Sequence, residues 1–134
     1  MRCYVLDANA LLAFVEGKPG ASKVRDIFDE ARQGRAELFM SAVNYGEAYG
    51  VLLRLRGRDK ARSLMNALRP IPLSIVDADA LIACRASEIK SQYKLYYADA
   101  FAAALAIERK ATLVTSDSDF RRLGHGFPIL WLKP

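Results

Sequence analysis

The sequence predicts an α/β domain: a mostly parallel sheet of about five strands between layers of helices. Three observations predict it. Short, continuous apolar runs, beginning with Cys3-Tyr4-Val5-Leu6, have the look of strands buried on both faces. Stretches with helical spacing, usually in pairs, separate these runs, as parallel neighbours require. The 134 residues, 52% of them hydrophobic, suffice for one core and would leave two cores undersized, so residues 1–134 read as a single domain.

The elements follow in order. Asp7 ends the first strand, and Ala8 to Phe14 is an apolar helix stopped near Gly17-Lys18-Pro19-Gly20. Val24, Ile27, Phe28 and Ala31 give Ser22 to Gln33 helical spacing. Leu38-Phe39-Met40 is the second strand. Ser41 then caps a helix running to about Arg56, with Gly57 at its C-terminal cap. Asp59 to Leu68 is helical and ends before Pro70 and Pro72, and Leu73 to Val76 is the third strand. Asp77 is expected to cap a helix through about Ser91. Tyr97 to Lys110 is the most apolar helix, Thr112 to Thr115 the fourth strand, and Ile129 to Leu132 the fifth.

Composition excludes several functions. Cys3 and Cys84 cannot form a disulfide framework; both read as small buried hydrophobes, and a reducing cytoplasm fits them. No apolar stretch approaches the ~18 residues of a membrane span. Asp7, so early, argues against a signal peptide. His125 is the only histidine, which leaves no multi-histidine zinc site, so any metal chemistry must use oxygen ligands. The balance of 20 bases against 15 acids, a net charge of +5, favours anionic partners such as nucleic acid.

In doubly wound sheets ligands bind beyond the carboxyl ends of the strands, where strand order reverses. Asp7 follows the first strand there, and Asp117 and Asp119 follow the fourth. Glu47 lies on the helix after the second strand, sharing a face with Asn44 three residues earlier. Asp99 sits at the start of the alanine-rich helix, where a carboxylate needs a partner. Each acid has a plain alternative. Asp7 and Asp99 can cap helices, Asp117 and Asp119 can make turns, and Glu47 can be solvated. Gathered together they would repel one another unless a hard divalent cation joined them. Asp77 and Asp79 also follow a strand, and capping accounts for them.

Four segments then occur in a telling order: Tyr4-Val5-Leu6-Asp7-Ala8-Asn9, Ser41-Ala42-Val43-Asn44-Tyr45-Gly46-Glu47, Tyr97-Ala98-Asp99-Ala100, and Val114-Thr115-Ser116-Asp117-Ser118-Asp119-Phe120. In these the chain resembles the PIN domains, specifically the small VapC-like ribonuclease toxins of prokaryotic toxin–antitoxin pairs. The resemblance implies an α/β/α sandwich with Asp7, Glu47, Asp99 and Asp117 as the catalytic metal-binding acids, Asp119 as a further ligand, and Asn9 and Thr115 as supporting hydrogen-bonding residues. It implies Mg²⁺, with Mn²⁺ able to substitute, and RNA hydrolysis to a 5′-phosphate and a 3′-hydroxyl. It also implies a cognate antitoxin and a homodimer. Setting the five acids aside leaves 20 bases against 10 acids to face RNA.

Two other readings compete. A non-catalytic RNA-binding module would keep fold and charge without needing the acids. A phosphoacceptor signalling domain would carry paired acids after the first strand, where this chain has Asp7-Ala8-Asn9. The arginines and lysines around Gly57 (Arg54, Arg56, Arg58, Lys60, Arg62), with Lys90, Lys94, Arg121 and Arg122, read as solvated faces that could collectively follow a phosphate backbone. Tyr93, Tyr96 and Tyr97 could stack on bases, with packing the favoured role for most of them. The apolar stretches Ala48 to Leu55 and Leu64 to Leu68 exceed what one small core needs.

Overall fold

The computed structural model describes residues 1–133. Strands β1 (Arg2–Leu6), β2 (Ala36–Ser41), β3 (Leu73–Val76), β4 (Thr112–Thr115) and β5 (Ile129–Trp131) form one sheet in the order β3-β2-β1-β4-β5, with every pairing parallel. The helices are α1 (Ala8–Glu16), α2 (Ala21–Arg32), α3 (Ala42–Arg56), α4 (Arg58–Asn66), α5 (Ala80–Tyr93) and α6 (Tyr97–Arg109). A 3₁₀ turn, Ser118–Leu123, joins β4 to β5. This is the three-layer α/β/α architecture that the sequence predicts.

The period of two along each strand sorts the side chains into two cores. Tyr4, Leu6, Leu38, Met40 and Val114 face α1 to α4. Val5, Phe39 and Leu113 face α5 and α6. The chain steps outward from β1 to β2 to β3, then returns across the sheet to β4. Right-handed crossovers therefore put α1 to α4 on one face and α5 to α6 on the other. The reversal falls between β1 and β4, and the crevice opens beyond their carboxyl ends. All residues from Ala100 to Ala106 are buried. The five alanines among them let α6 lie close to the sheet and to α3 and α5.

Local chemistry sets the helix ends. The Asp7 carboxylate accepts the Ala10 N–H at 2.8 Å, and Ser41 accepts that of Val43 at 3.2 Å. Gly57, at φ +80°, ends α3 by donating to the Leu53 carbonyl at 3.1 Å. Gly20, at φ +97°, begins α2 against Leu132, where a β-carbon would lie 2.8 Å from the leucine Cβ.

Some expectations need correction. The cap of α5 is Asp79, which accepts the Ile82 N–H at 3.0 Å; Asp77 lies two residues too early and is exposed. Cys84 is exposed and Cys3 half-buried, because α5 turns Ile82 and Ala86 inward and Cys84 out. The strand β5 ends at Trp131, one residue before Leu132. Helix α4 starts at Arg58 and ends at Asn66, short of Leu68. Of the apolar surplus, Leu53 and Leu55 are exposed, while Leu52, Met65 and Leu68 join the core.

Candidate active site

Beyond β1 and β4 a cleft of about 200 Å³ gathers carboxylates from four separate elements: Asp7, Glu47, Asp99 and Asp117. Asp7 is the first residue after β1 and is 3% exposed. Its carboxylate caps α1 and also accepts the hydroxyl of buried Thr115, the last residue of β4. That hydroxyl in turn accepts the Asp117 N–H at 2.9 Å, and the Asp117 carboxylate accepts the Asp119 N–H at 2.9 Å. One hydrogen-bonded relay thus fixes the ends of two neighbouring strands and the 3₁₀ turn.

The other two acids come from opposite layers. Glu47 lies on α3 and is exposed at the rim; Asp99 is the third residue of α6 and half-buried. Tyr96 is the N-terminal cap of α6, so Asp99 sits within the helix and does not cap it. Asn44, fully buried one turn before Glu47, donates through Nδ2 to the Ala98 carbonyl at 2.9 Å. This bond ties α3 to the first turn of α6, and with it Glu47 to Asp99. Oδ1 of Asn44 is buried without a hydrogen-bond partner. Asn44 carries no chemistry in the sequence beyond its shared face with Glu47, and its partner lies 54 residues away, so only the fold reveals its role.

Charge accumulates here without compensation. Among the described residues, no lysine, arginine or histidine lines the cleft. Burial pushes Asp7 up to about 7, with Asp99 and Asp117 adding to the rise and the Thr115 and Ala10 hydrogen bonds opposing it. Burial likewise raises Asp99 to about 7, reinforced by Asp117, Glu47 and Asp119. Glu47 is raised by partial loss of water and by Asp117, against the hydrogen bond from Asn44. Asp99, Asp117 and Asp119 can each bring one carboxylate oxygen within 4.8 Å of the others. An all-oxygen donor set with unneutralised charge fits a hard divalent cation.

The remaining expected residues occupy the margins. Asp119 lies in the adjoining groove, 3.6 Å from the Arg122 guanidinium. Asn9 is exposed on the opposite lip, and Thr115 lies beneath the cleft. His125 is exposed in the loop after the 3₁₀ turn, beside a separate cavity formed with Trp131 and Arg121. Asp77 and Asp79, on the far side of β2, stay outside the cleft.

A family model described as "PIN domain" matches residues 4–126, a span that includes all five acids. The chain belongs to the PIN-domain family. Solved structures place this PIN domain beside the DNA-bound VapBC of Salmonella typhimurium, at 19% identity and a TM-score of 0.77, covering 99% of this chain and 100% of that one. VapBC2 of Rickettsia felis, bound to promoter DNA, is similar at 19% identity and a TM-score of 0.76, covering 96% and 97%. VapC20 of Mycobacterium tuberculosis, described as a toxin that cleaves the sarcin–ricin loop, is similar at 16% identity and a TM-score of 0.72, covering 90% and 95%. At these identities the likeness is one of fold. Among curated proteins, none matches the sequence at a significant level. No helix among the described residues is long and apolar enough to cross a membrane.

Proposed function

We propose that this PIN domain is a divalent-cation-dependent endoribonuclease, the toxin of a toxin–antitoxin pair, with Mg²⁺ as the resident ion and Mn²⁺ able to substitute. One observation carries the reading: acids from four elements converge on a cleft that holds no basic side chain. Gathering desolvated carboxylates destabilises a fold unless a cation or a proton neutralises them, so such clusters mark candidate functional sites. Asp7, Glu47, Asp99 and Asp117 would hold the ion, with Asp119 as a further ligand. When bound, the ion supplies a water of lowered pKa and neutralises charge on the phosphate.

The side chains supply position. Thr115 and the Ala10 N–H each hold one oxygen of Asp7 and so orient the carboxylate. The Asp119 N–H holds one oxygen of Asp117, which lines the cleft. Asn44 holds the helices of Glu47 and Asp99 in register. Asn9, on the lip, is placed to meet substrate or solvent. The reaction is addition of water at phosphorus with cleavage of the P–O3′ bond, leaving a 5′-phosphate and a 3′-hydroxyl. No side chain in the cleft need act as a dedicated base, and His125 lies apart from it.

Similarity of fold to VapBC toxin–antitoxin complexes supports a cognate antitoxin as partner, and a homodimer belongs to the same reading. The test is cleavage of a structured RNA panel by the purified protein with Mg²⁺, with a chelator, and in the Asp7→Asn and Asp99→Asn variants. Cleavage should require the ion and both acids. Undiminished cleavage in chelator or in both variants sinks the mechanism. Salt-sensitive binding without any product would instead support the non-catalytic module.

A further inference from the structure

Tyr96 is 74% exposed, and among the large apolar side chains of the described residues only Met1 is more so. Its neighbours account for themselves. Leu95 is buried at 3%, Tyr97 packs edge-on against Phe101 at 4.9 Å between centroids, and Tyr93 is half-buried against the α5–α6 core. The Tyr96 backbone is held in place, since its carbonyl accepts the Ala100 N–H at 3.0 Å. Its ring is therefore an aromatic surface offered to solvent from an ordered backbone, the exception among three tyrosines of which the other two pack.

Its position gives that surface a use. Tyr96 lines the acidic cleft, and it also lines a neighbouring groove of about 500 Å³ with Lys90, Lys94, Asp119 and Arg122. The three bases there differ. Arg122 faces Asp119 at 3.6 Å and donates to the Lys94 carbonyl at 2.8 Å. Among the described residues, Lys90 and Lys94 are in no ion pair. On the other side of the cleft, the groove beyond Asn9 offers Lys18 and Lys133, and Lys18 is already 3.4 Å from Glu16. A cleft of carboxylates gives a phosphodiester strand little attraction of its own beyond what a cation supplies. Affinity for the strand must come from the flanks, and the Tyr96 flank combines an open ring with two free ammonium groups.

We propose that Tyr96 is a base-stacking platform which, with Lys90 and Lys94, receives an unpaired nucleotide of RNA adjoining the phosphodiester in the acidic cleft. The proposal rests on the endoribonuclease reading and adds to it a side of the cleft and a substrate class. A base can lay its face on Tyr96 only if it is free of its own stack, so single-stranded or looped RNA is the ligand. Lys90 on α5 and Lys94, its left-handed C-terminal cap, line the same groove, where they can meet the flanking phosphates.

The test measures binding of a short, unstructured, fluorescent RNA by anisotropy, with Ca²⁺ in place of Mg²⁺ to slow turnover. Tyr96→Ala should weaken binding roughly 5- to 150-fold, while Tyr96→Phe stays within about twofold. Lys90→Gln with Lys94→Gln should flatten the salt dependence by about 1.4 logarithmic units per decade. A duplex of the same sequence should bind independently of Tyr96. Exposure of these side chains keeps the fold out of the comparison, and thermal melts check it. The proposal is overturned if Tyr96→Ala binds like the parent, if Tyr96→Phe loses as much as Ala, or if Lys18→Gln with Lys133→Gln carries the salt effect instead. Cleavage that persists with a Tyr96-independent affinity removes the platform and leaves the nuclease reading standing. A parent protein that neither binds nor cleaves RNA removes both.

Discussion

Helix α1 carries a carboxylate near each end, and the fold treats the two in opposite ways. At the C-terminal end the Glu16 side chain, 2% exposed, is held by Arg56 through Nε at 3.0 Å and Nη2 at 2.8 Å, with Lys18 at 3.4 Å. The Arg56 hydrogen bonds keep it below the usual carboxylate range. At the N-terminal end Asp7 is buried and has the favourable pole of the helix. Yet it meets no cation and is pushed up to about 7 by burial, with Asp99 and Asp117 adding to the rise. Glu16 is a structural acid whose partners come with the chain. Asp7 is oriented by two hydrogen bonds and, among the described residues, has no cationic partner, the pattern that perturbed acids at functional sites show.

The largest expected effect follows from that contrast. Glu47→Gln should lower single-turnover cleavage of a labelled RNA by about 10²- to 10³-fold, whereas Glu16→Gln should leave it within about threefold. Equal losses in the two variants would mean that the cleft has no special place in the chemistry. Next comes the brace between layers. Asn44→Ala removes the side-chain donor that ties α3 to the Ala98 carbonyl, and should cost about 1–2 kcal/mol in urea unfolding and about 10-fold in cleavage. A stability loss with full activity would confine Asn44 to packing.

How far these two acids differ was only partly legible beforehand. Strand–helix alternation and period-two burial are written locally, so β1 to β5 and their crossovers can be read from runs such as Cys3 to Leu6. The acids at the strand ends are likewise local signals. Other features depend on contacts remote in sequence. Glu16 meets Arg56 across 40 residues, and Asn44 meets Ala98 across 54. The phase of a helix is also hard to fix from a cap alone. Asp77 and Asp79 are both competent caps, and the choice of Asp79 is settled by which residues of α5 reach the core. Cys84 and Tyr96 illustrate the same limit, since an apolar residue beside a helix can face either way.

The structural end of α1 should fail differently. Arg56→Ala leaves Glu16 with Lys18 alone and should cost about 1–2 kcal/mol, between the values for exposed and buried pairs. Cleavage per folded molecule should not change. Loss of activity without loss of stability would join the two ends into one functional unit and dissolve the distinction.

The smallest effect tests the missing counter-charge itself. Asp7 and Asp99 titrate near the ordinary 3.8 when unfolded and near 7 when folded. Between those values the folded protein holds protons that the unfolded chain has released, so stability falls as pH rises through the window. The metal-free protein should therefore melt higher at pH 5.5 than at pH 8. Glu16 does not blur this result. Its depressed pKa gives stability that is complete above the unfolded value of 4.5 and lost only as pH falls further. Asp99→Asn removes one half-buried charge, and should stabilise the metal-free protein at pH 8 by about 1 kcal/mol after allowance for solvent screening. It should also flatten the pH slope. On the proposed ion site Mg²⁺ and protons would compete for the same oxygens, so added Mg²⁺ should raise the melting temperature more at pH 8 than at pH 5.5, and less in Asp99→Asn than in the parent. A metal-free protein that melts lower at pH 5.5 would show that the cleft acids already have their counter-charge within the chain, as Glu16 does.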